Sequence, residues 1–289
     1  LSKPLVIRLA GLSLSLAGSN FSPIPDVYRP FITHTVTSRD RITLTVKKGS
    51  PVFKNRRLIL GCETWRVYSV YSNRWLFTFH PNAKTQEPAQ VVVVNKRFSR
   101  GELYHTGMQW GTVRFPNPFL HPMLEVLWVS ILAGRRGILC HACGMVDNGK
   151  SLIFLGNSGD GKSTLTNLLK DHATILNDDR IVVRKQGTVF WAYGTPWHGD
   201  VDLVAARRAP LRGIFFLKHG SVNRVTPIRG AQAVTMLLAR SFLPLWNRAS
   251  MRQIVILGEQ LAASVPCYEL TFVPDDSIVK FIKKLPKDQ

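Results

Sequence analysis

The residues Gly156-Asn157-Ser158-Gly159-Asp160-Gly161-Lys162-Ser163 follow the spacing G-x-x-x-x-G-K-S. That spacing suits the grip of a polyphosphate. Glycines let backbone N–H groups turn inward without a Cβ in the way, a lysine reaches the outer phosphates, and a hydroxyl at the last position can ligate Mg²⁺. Thr164 leads into helix-forming residues up to Lys170, so the loop opens a helix whose positive end faces the anion. The apolar run from Ser151 to Leu155 supplies the strand that this motif requires before it. At ordinary residue usage the pattern arises by chance in roughly 1% of chains this long, and the flanking strand and helix lower that further. A glycine-rich turn with no ligand is therefore the weaker reading. Residues 156–164 are assigned to a nucleotide (ATP, another nucleoside triphosphate, or ADP) together with Mg²⁺.

Two adjacent carboxylates, Asp178 and Asp179, end the next short strand, Ala173 to Asn177. One could hold the metal while the other takes a proton from an attacking hydroxyl; a turn or helix cap is the plainer alternative. In the common GTPases and transport ATPases the metal-organising Asp lies much further along the chain. The chain also lacks the N-K-x-D base-reading motif and the ABC signature. His141 falls on the strand before the loop strand, where a lone imidazole usually packs in a core, but its neighbour makes it a catalytic candidate. A turn-rich loop, Gly194 to Asp200, carries His198 two residues before a carboxylate, and His198 is a candidate contact for substrate or phosphate.

The order Cys140-His141-Ala142-Cys143-Gly144-Met145-Val146, loop, Asp178-Asp179 resembles the catalytic domain of HPr kinase/phosphatase, over roughly residues 120–285. The wider superfamily shares its nucleotide core with ATP-dependent phosphoenolpyruvate carboxykinase. It includes HPr-kinase-related proteins, among them kinases of the C-terminal serine of lasso-peptide precursors. The resemblance implies that Lys162 and His141 are catalytic, that Asp178 is the general base, and that Asp179 joins Ser163 on the metal side, with the two acids exchangeable. It departs at the family's E-x-R-G-L-G-type signature. The nearest stretch, Arg207 to Phe215, keeps only Arg-Gly, which counts against HPr as substrate and against the phosphorolytic back-reaction. Arg207, Arg208 and Arg212 in that stretch are candidate substrate contacts.

Positioning these residues calls for an α/β (α+β) chain of two parts. Residues 1–115 form a mostly β domain of short alternating runs: Val6 to Leu16, Ile42 to Val46, Arg57 to Leu60, Trp65 to Phe79 around a Ser72-Asn73 turn, and Val91 to Val94. Residues 116–289 form the phosphate-loop catalytic domain with a mixed sheet and flanking helices, the boundary lying at Phe115 to Pro118. Helices are expected at about 120–133, 231–242, 246–263 and after Ser277. The interleaved aromatics from Trp65 to Phe77 alternate with period two, which reads as core packing before nucleic-acid stacking.

The chain of 289 residues has 38 basic and 18 acidic side chains, a formal charge of +20, and no acid at all from Leu203 to Gly258. Such a field concentrates anions: an acidic peptide, an anionic small molecule, a nucleic-acid backbone or a lipid surface. Four cysteines without a disulfide or zinc pattern, and no apolar run near the length of a membrane span, fit a soluble cytoplasmic protein. The leading expectation is a phosphotransferase passing the γ-phosphate to a hydroxyl, a serine first, from a chain that could be a homo-oligomer. The alternative is a nucleotide-gated binding module with a basic face for nucleic acid or another anionic partner.

Overall fold

The computed structural model describes residues 3–18, 21, 23–34, 40–51, 53, 55–70, 73–82, 84–106, 118, 119 and 121–285. The expected boundary at residues 115–117 lies outside them, as does Ser72 of the expected turn. Two compact units are present, Leu1–Gly134 with Pro244–Arg248, and Arg135–Leu243 with Ala249–Gln289.

The first unit is built on nine strands: β1 (Leu5–Leu9), β2 (Leu12–Ala17), β3 (Ile32–Thr33), β4 (Arg41–Lys48), β5 (Arg56–Gly61), β6 (Trp65–Val70), β7 (Arg74–Phe79), β8 (Gln90–Asn95) and β9 (Arg100–His105). They form one sheet in the order β3-β1-β2-β4-β9-β8-β7-β6-β5. The alternating run from Val6 to Leu16 is a hairpin rather than one strand. Ala10 and Gly11, at φ 54° and 74°, turn the chain, and alternation resumes beyond them. Strand β9, unforeseen because of its polar composition, sits in the middle of the sheet. A Cβ on its Gly101 would meet the Val93 carbonyl oxygen at 2.3 Å, so the close approach needs glycine. The period-two aromatics do pack: Phe77 and Trp65 meet Trp246 edge-on at 6.0 and 5.4 Å between ring centroids. Helix α1 (Met123–Ala133) is apolar nearly all round and buried along its whole length, as such helices must be.

The second unit holds β10 (Gly137–Asp147), β11 (Lys150–Leu155), α2 (Lys162–Leu169), β12 (Thr174–Asn177), β13 (Arg180–Gln186), β14 (Val189–Tyr193), β15 (Arg208–His219), β16 (Arg224–Ile228), α3 (Gly230–Ala239), β17 (Ser241–Phe242), α4 (Arg248–Ser264), β18 (Cys267–Phe272) and α5 (Ser277–Lys284). Two long strands are each shared between neighbours. The first half of β10 pairs with β13 and its second half with β11; the start of β15 pairs with β14, and the rest lies parallel to β11 and β18. The circuit β11-β10-β13-β14-β15 therefore closes on itself. Leu165 and Leu169 of α2 and Ile278, Val279 and Ile282 of α5 bury one face of the sheet against Phe154, Phe215, Leu270 and Phe272. Helix α3 stops at Ala239 instead of reaching Phe242, because Ser241 and Phe242 take up pairing with β10.

Candidate functional site

The loop leaves the end of β11 and enters α2, as its sequence demands. Gly159 and Gly161 hold φ of 88° and 92°, a region L side chains avoid. Gly161 is also hemmed in, since a Cβ there would meet Phe272 Cζ at 2.7 Å. Inside the loop, the Asn157 N–H donates to Asp160 Oδ2 at 2.6 Å. The Lys162 ammonium donates to the carbonyls of Gly156 and Asn157 at 3.1 and 3.0 Å. Burial pushes the Lys162 pKa down, against the opposing pull of Asp179 and other nearby groups. Asn157, Ser158, Gly159 and Thr164 are exposed, so the cradle is open to solvent. His219, at the end of β15, donates from Nε2 to the Gly159 carbonyl at 2.7 Å and stacks on Phe272.

The two acids have unequal surroundings. Asp179 Oδ1 accepts from His141 Nε2 at 2.8 Å and lies 3.8 Å from Lys162 Nζ, while Arg180 grips Oδ2. Burial pushes the Asp179 carboxyl up, but the His141 hydrogen bond and the charges of Arg180, His141 and Lys162 outweigh it and hold the group below its ordinary value of 3.8. Asp178 is 1% exposed. Its two oxygens accept the backbone N–H groups of Gly199 and Val201, at 2.8 and 2.9 Å. Asn177 anchors the corner: its Oδ1 accepts the N–H groups of Asp179 and Arg180, and its Nδ2 donates to the Thr195 carbonyl.

The segment from Gly194 to Val201 thus forms a strap over the loop end of the sheet. Gly194 starts it where only glycine fits, since a Cβ would meet the Ala205 carbonyl oxygen at 2.0 Å. At its tip Asp200 Oδ2 accepts a hydrogen bond from the Ser163 hydroxyl at 3.3 Å. His198 is engaged by its own segment, with Nδ1 at its neighbour's carbonyl (Gly199) and Nε2 3.5 Å from Asp202.

The structure brings Lys162, Asp179 and His141 together, and Ser163 with Asp200. It does not bring the arginines. Arg208 and Arg212 precede by eight and four residues the Phe216 that faces Leu155, the residue just before the loop. Along a strand that is roughly 26 and 13 Å short of the phosphate cradle. Arg208 lies over the Trp191 ring at 4.5 Å and donates to Gln186 Oε1 and the Tyr193 hydroxyl, and Arg207 precedes it, exposed. A cavity of about 1010 Å³, lined in part by Arg212, Arg229, Val234 and Tyr268, opens at that far end of the sheet and not at the loop. Sequence reading missed Arg180, His219 and the contact of Asp200 with Ser163, although Asp200 stood in view two residues after His198.

A mixed α/β unit with a glycine-rich loop between strand and helix, flanked by a carboxylate–imidazole pair, is what fold and site define. No family model matches the chain, and no curated protein matches it. Among solved structures, the HPr(Ser) kinase/phosphatase from Coxiella burnetii aligns with 51% of this chain and 87% of its own, at 11% identity and a TM-score of 0.31. A likeness that slight leaves the functional argument to the geometry. Among the described residues no helix is long and apolar enough to cross a membrane.

Proposed function

We propose that the chain is a nucleotide- and Mg²⁺-dependent phosphotransferase whose acceptor is a hydroxyl, a serine of a peptide or protein first. The observation that carries this reading is the carboxylate beside the phosphate-gripping ammonium: Asp179 Oδ1 is 3.8 Å from Lys162 Nζ and 2.8 Å from His141 Nε2. Binding alone needs no such base.

The residues present fit Mg²⁺. Among the described residues no three acids, imidazoles or thiols converge as a protein-only cage, but a hydroxyl and a carboxylate meet at the loop's end. Magnesium commonly takes one or two such oxygen ligands and completes its shell with water and substrate phosphates. When bound, it would neutralise charge on the outer phosphates. The loop N–H groups and the start of α2 hold the phosphate chain, and Lys162 exchanges its carbonyl partners for the outer phosphates. Asp179 accepts the hydrogen bond of the acceptor hydroxyl. As the hydroxyl oxygen bonds to the terminal phosphorus, the bond to the bridging oxygen breaks, the nucleoside diphosphate leaves, and the hydroxyl proton passes to Asp179. A carboxylate with a depressed pKa is a weak base. That suffices where the transition state is loose and the proton departs late. His141 holds the carboxylate in line. The family resemblance gives the base to Asp178 and allows the exchange; the burial of Asp178, against the partly open carboxylate of Asp179 beside Lys162, favours the exchange.

The test is transfer from γ-labelled ATP to a panel of seryl peptides and small alcohols. Asp179→Asn is expected to lower transfer by about 10²–10⁴-fold with nucleotide affinity kept within a few-fold. Unchanged transfer would refute the base assignment. Salt-sensitive nucleic-acid binding with no transfer to any acceptor would favour the binding module instead.

A further inference from the structure

The strap poses a question that the transfer chemistry leaves open: why a fully buried carboxylate spends both oxygens on two backbone amides of a loop more than twenty residues away. Asp178 Oδ1 takes Gly199 N–H and Oδ2 takes Val201 N–H, so Asp200 is the one residue between two clamped neighbours. Gly199 is packed against the acid pair itself. A Cβ there would lie 3.0 Å from Asp178 Oδ2 and 3.0 Å from Asp179 Cβ. The clamp leaves Asp200 little freedom, and its carboxylate meets the hydroxyl of Ser163, the last residue of the phosphate cradle.

A serine hydroxyl that donates its proton to a carboxylate keeps its oxygen lone pairs free for a cation. A carboxylate so placed also raises the basicity of that oxygen and fixes its direction, as outer partners of metal ligands do. From this we infer that Asp200 is the metal-side carboxylate of the loop, acting through Ser163 and the water shell, and that Asp178 is the residue that positions it. The inference rests on the phosphotransferase reading and deepens it. It divides the work among three acids: Asp179 faces the acceptor, Asp200 faces the cation, and Asp178 carries the strap. Asp202, on the same strap but 79% exposed and turned to His198, has no part in it.

The test uses the full chain, saturating ADP and Mn²⁺ as the probe ion, with bound Mn²⁺ followed by electron paramagnetic resonance and metal-free ADP affinity followed by calorimetry. Asp200→Asn is expected to weaken Mn²⁺ binding about 10–100-fold, the size typical of lost outer partners. Metal-free ADP affinity and the melting temperature should hold, because Asp200 is exposed. Asp179→Asn and Asp202→Asn should keep Mn²⁺ affinity within about threefold of the wild type, by the same comparison. Asp178→Asn should lose Mn²⁺ affinity as Asp200→Asn does. Wild-type Mn²⁺ affinity in Asp200→Asn, or the main loss appearing in Asp179→Asn, overturns the inference and leaves the phosphotransferase reading standing. A wild-type chain that binds ADP no better with Mn²⁺ than without overturns both.

Discussion

Replacing Asp178 by Asn changes one oxygen for an NH₂ group in a site that is 1% exposed. The wild-type carboxylate accepts two N–H groups at 2.8 and 2.9 Å. An amide can accept one of them, as a neutral bond, and must turn a donor toward the other. Hydrogen bonds to charged groups contribute about 1.5–3 kcal/mol, and a buried donor left unpaired costs about 1–3 kcal/mol. The expected loss is therefore about 3–5 kcal/mol. At about 2–4 °C per kcal/mol for a unit of this size, the melting temperature of that unit should fall by roughly 6–20 °C. Local release can be read separately from global stability by hydrogen exchange, because the Gly199 and Val201 amides lose their acceptor while those of β10 and β13 do not. The reasoning is refuted if Asp178→Asn melts within about 2 °C of the wild type and the Gly199 and Val201 amides stay protected.

The acid limb of stability should carry the mark of Asp179. Its folded pKa lies below the ordinary 3.8, so the unfolded chain binds the proton first. The stabilisation is complete above the unfolded pKa and is lost as pH falls from about 4 through the folded value; chemical denaturation at pH 6 and pH 3 should show a smaller difference in Asp179→Asn than in the wild type. The cysteines should differ sharply toward alkylating reagents at pH 8. Burial pushes the Cys140 and Cys143 thiols up to about 12 and Cys267 to about 11, whereas Cys62 is exposed. Mass spectrometry of the native chain should find Cys62 modified first and the other three only after denaturation, and early modification of Cys143 would contradict its place in the core.

How far the site was legible depends on how local its chemistry is. The cradle announces itself because its glycines, lysine and serine act within eight consecutive residues, between a strand and a helix with clear patterns of their own. Its neighbours are another matter. The contacts of Asp178 cross 21 and 23 residues and those of Ser163 with Asp200 cross 37, and no periodicity marks them. The only local sign was a glycine before a carboxylate in a turn-rich stretch, which drew the eye to the imidazole instead. The distance of the β15 arginines from the loop was hidden for a related reason: composition reports charge but not which end of a strand carries it. The hairpin of β1 and β2 stayed hidden because alternation has the same period on both arms of a tight turn.

The charge of the whole chain and the charge of the site point in opposite directions, and the contrast bears on function. In a protein of formal charge +20, four of its 18 acids, Asp160, Asp178, Asp179 and Asp200, gather in and around the loop. Two fixed cations, Lys162 and Arg180, stand among them. A module evolved only to hold anions would place its basic excess at the cradle, yet Arg207, Arg208 and Arg212 stand well down the sheet from it. A bare polyphosphate entering this site would meet more negative charge than positive, a repulsion that solvent and salt screen only in part at close range. A divalent cation arriving with the polyphosphate would reverse that balance and give a carboxylate a partner. Under the proposed transfer reaction, the distant arginines would serve long-range attraction of an acidic acceptor, while the acids at the loop would favour the metal-bound nucleotide over the bare one.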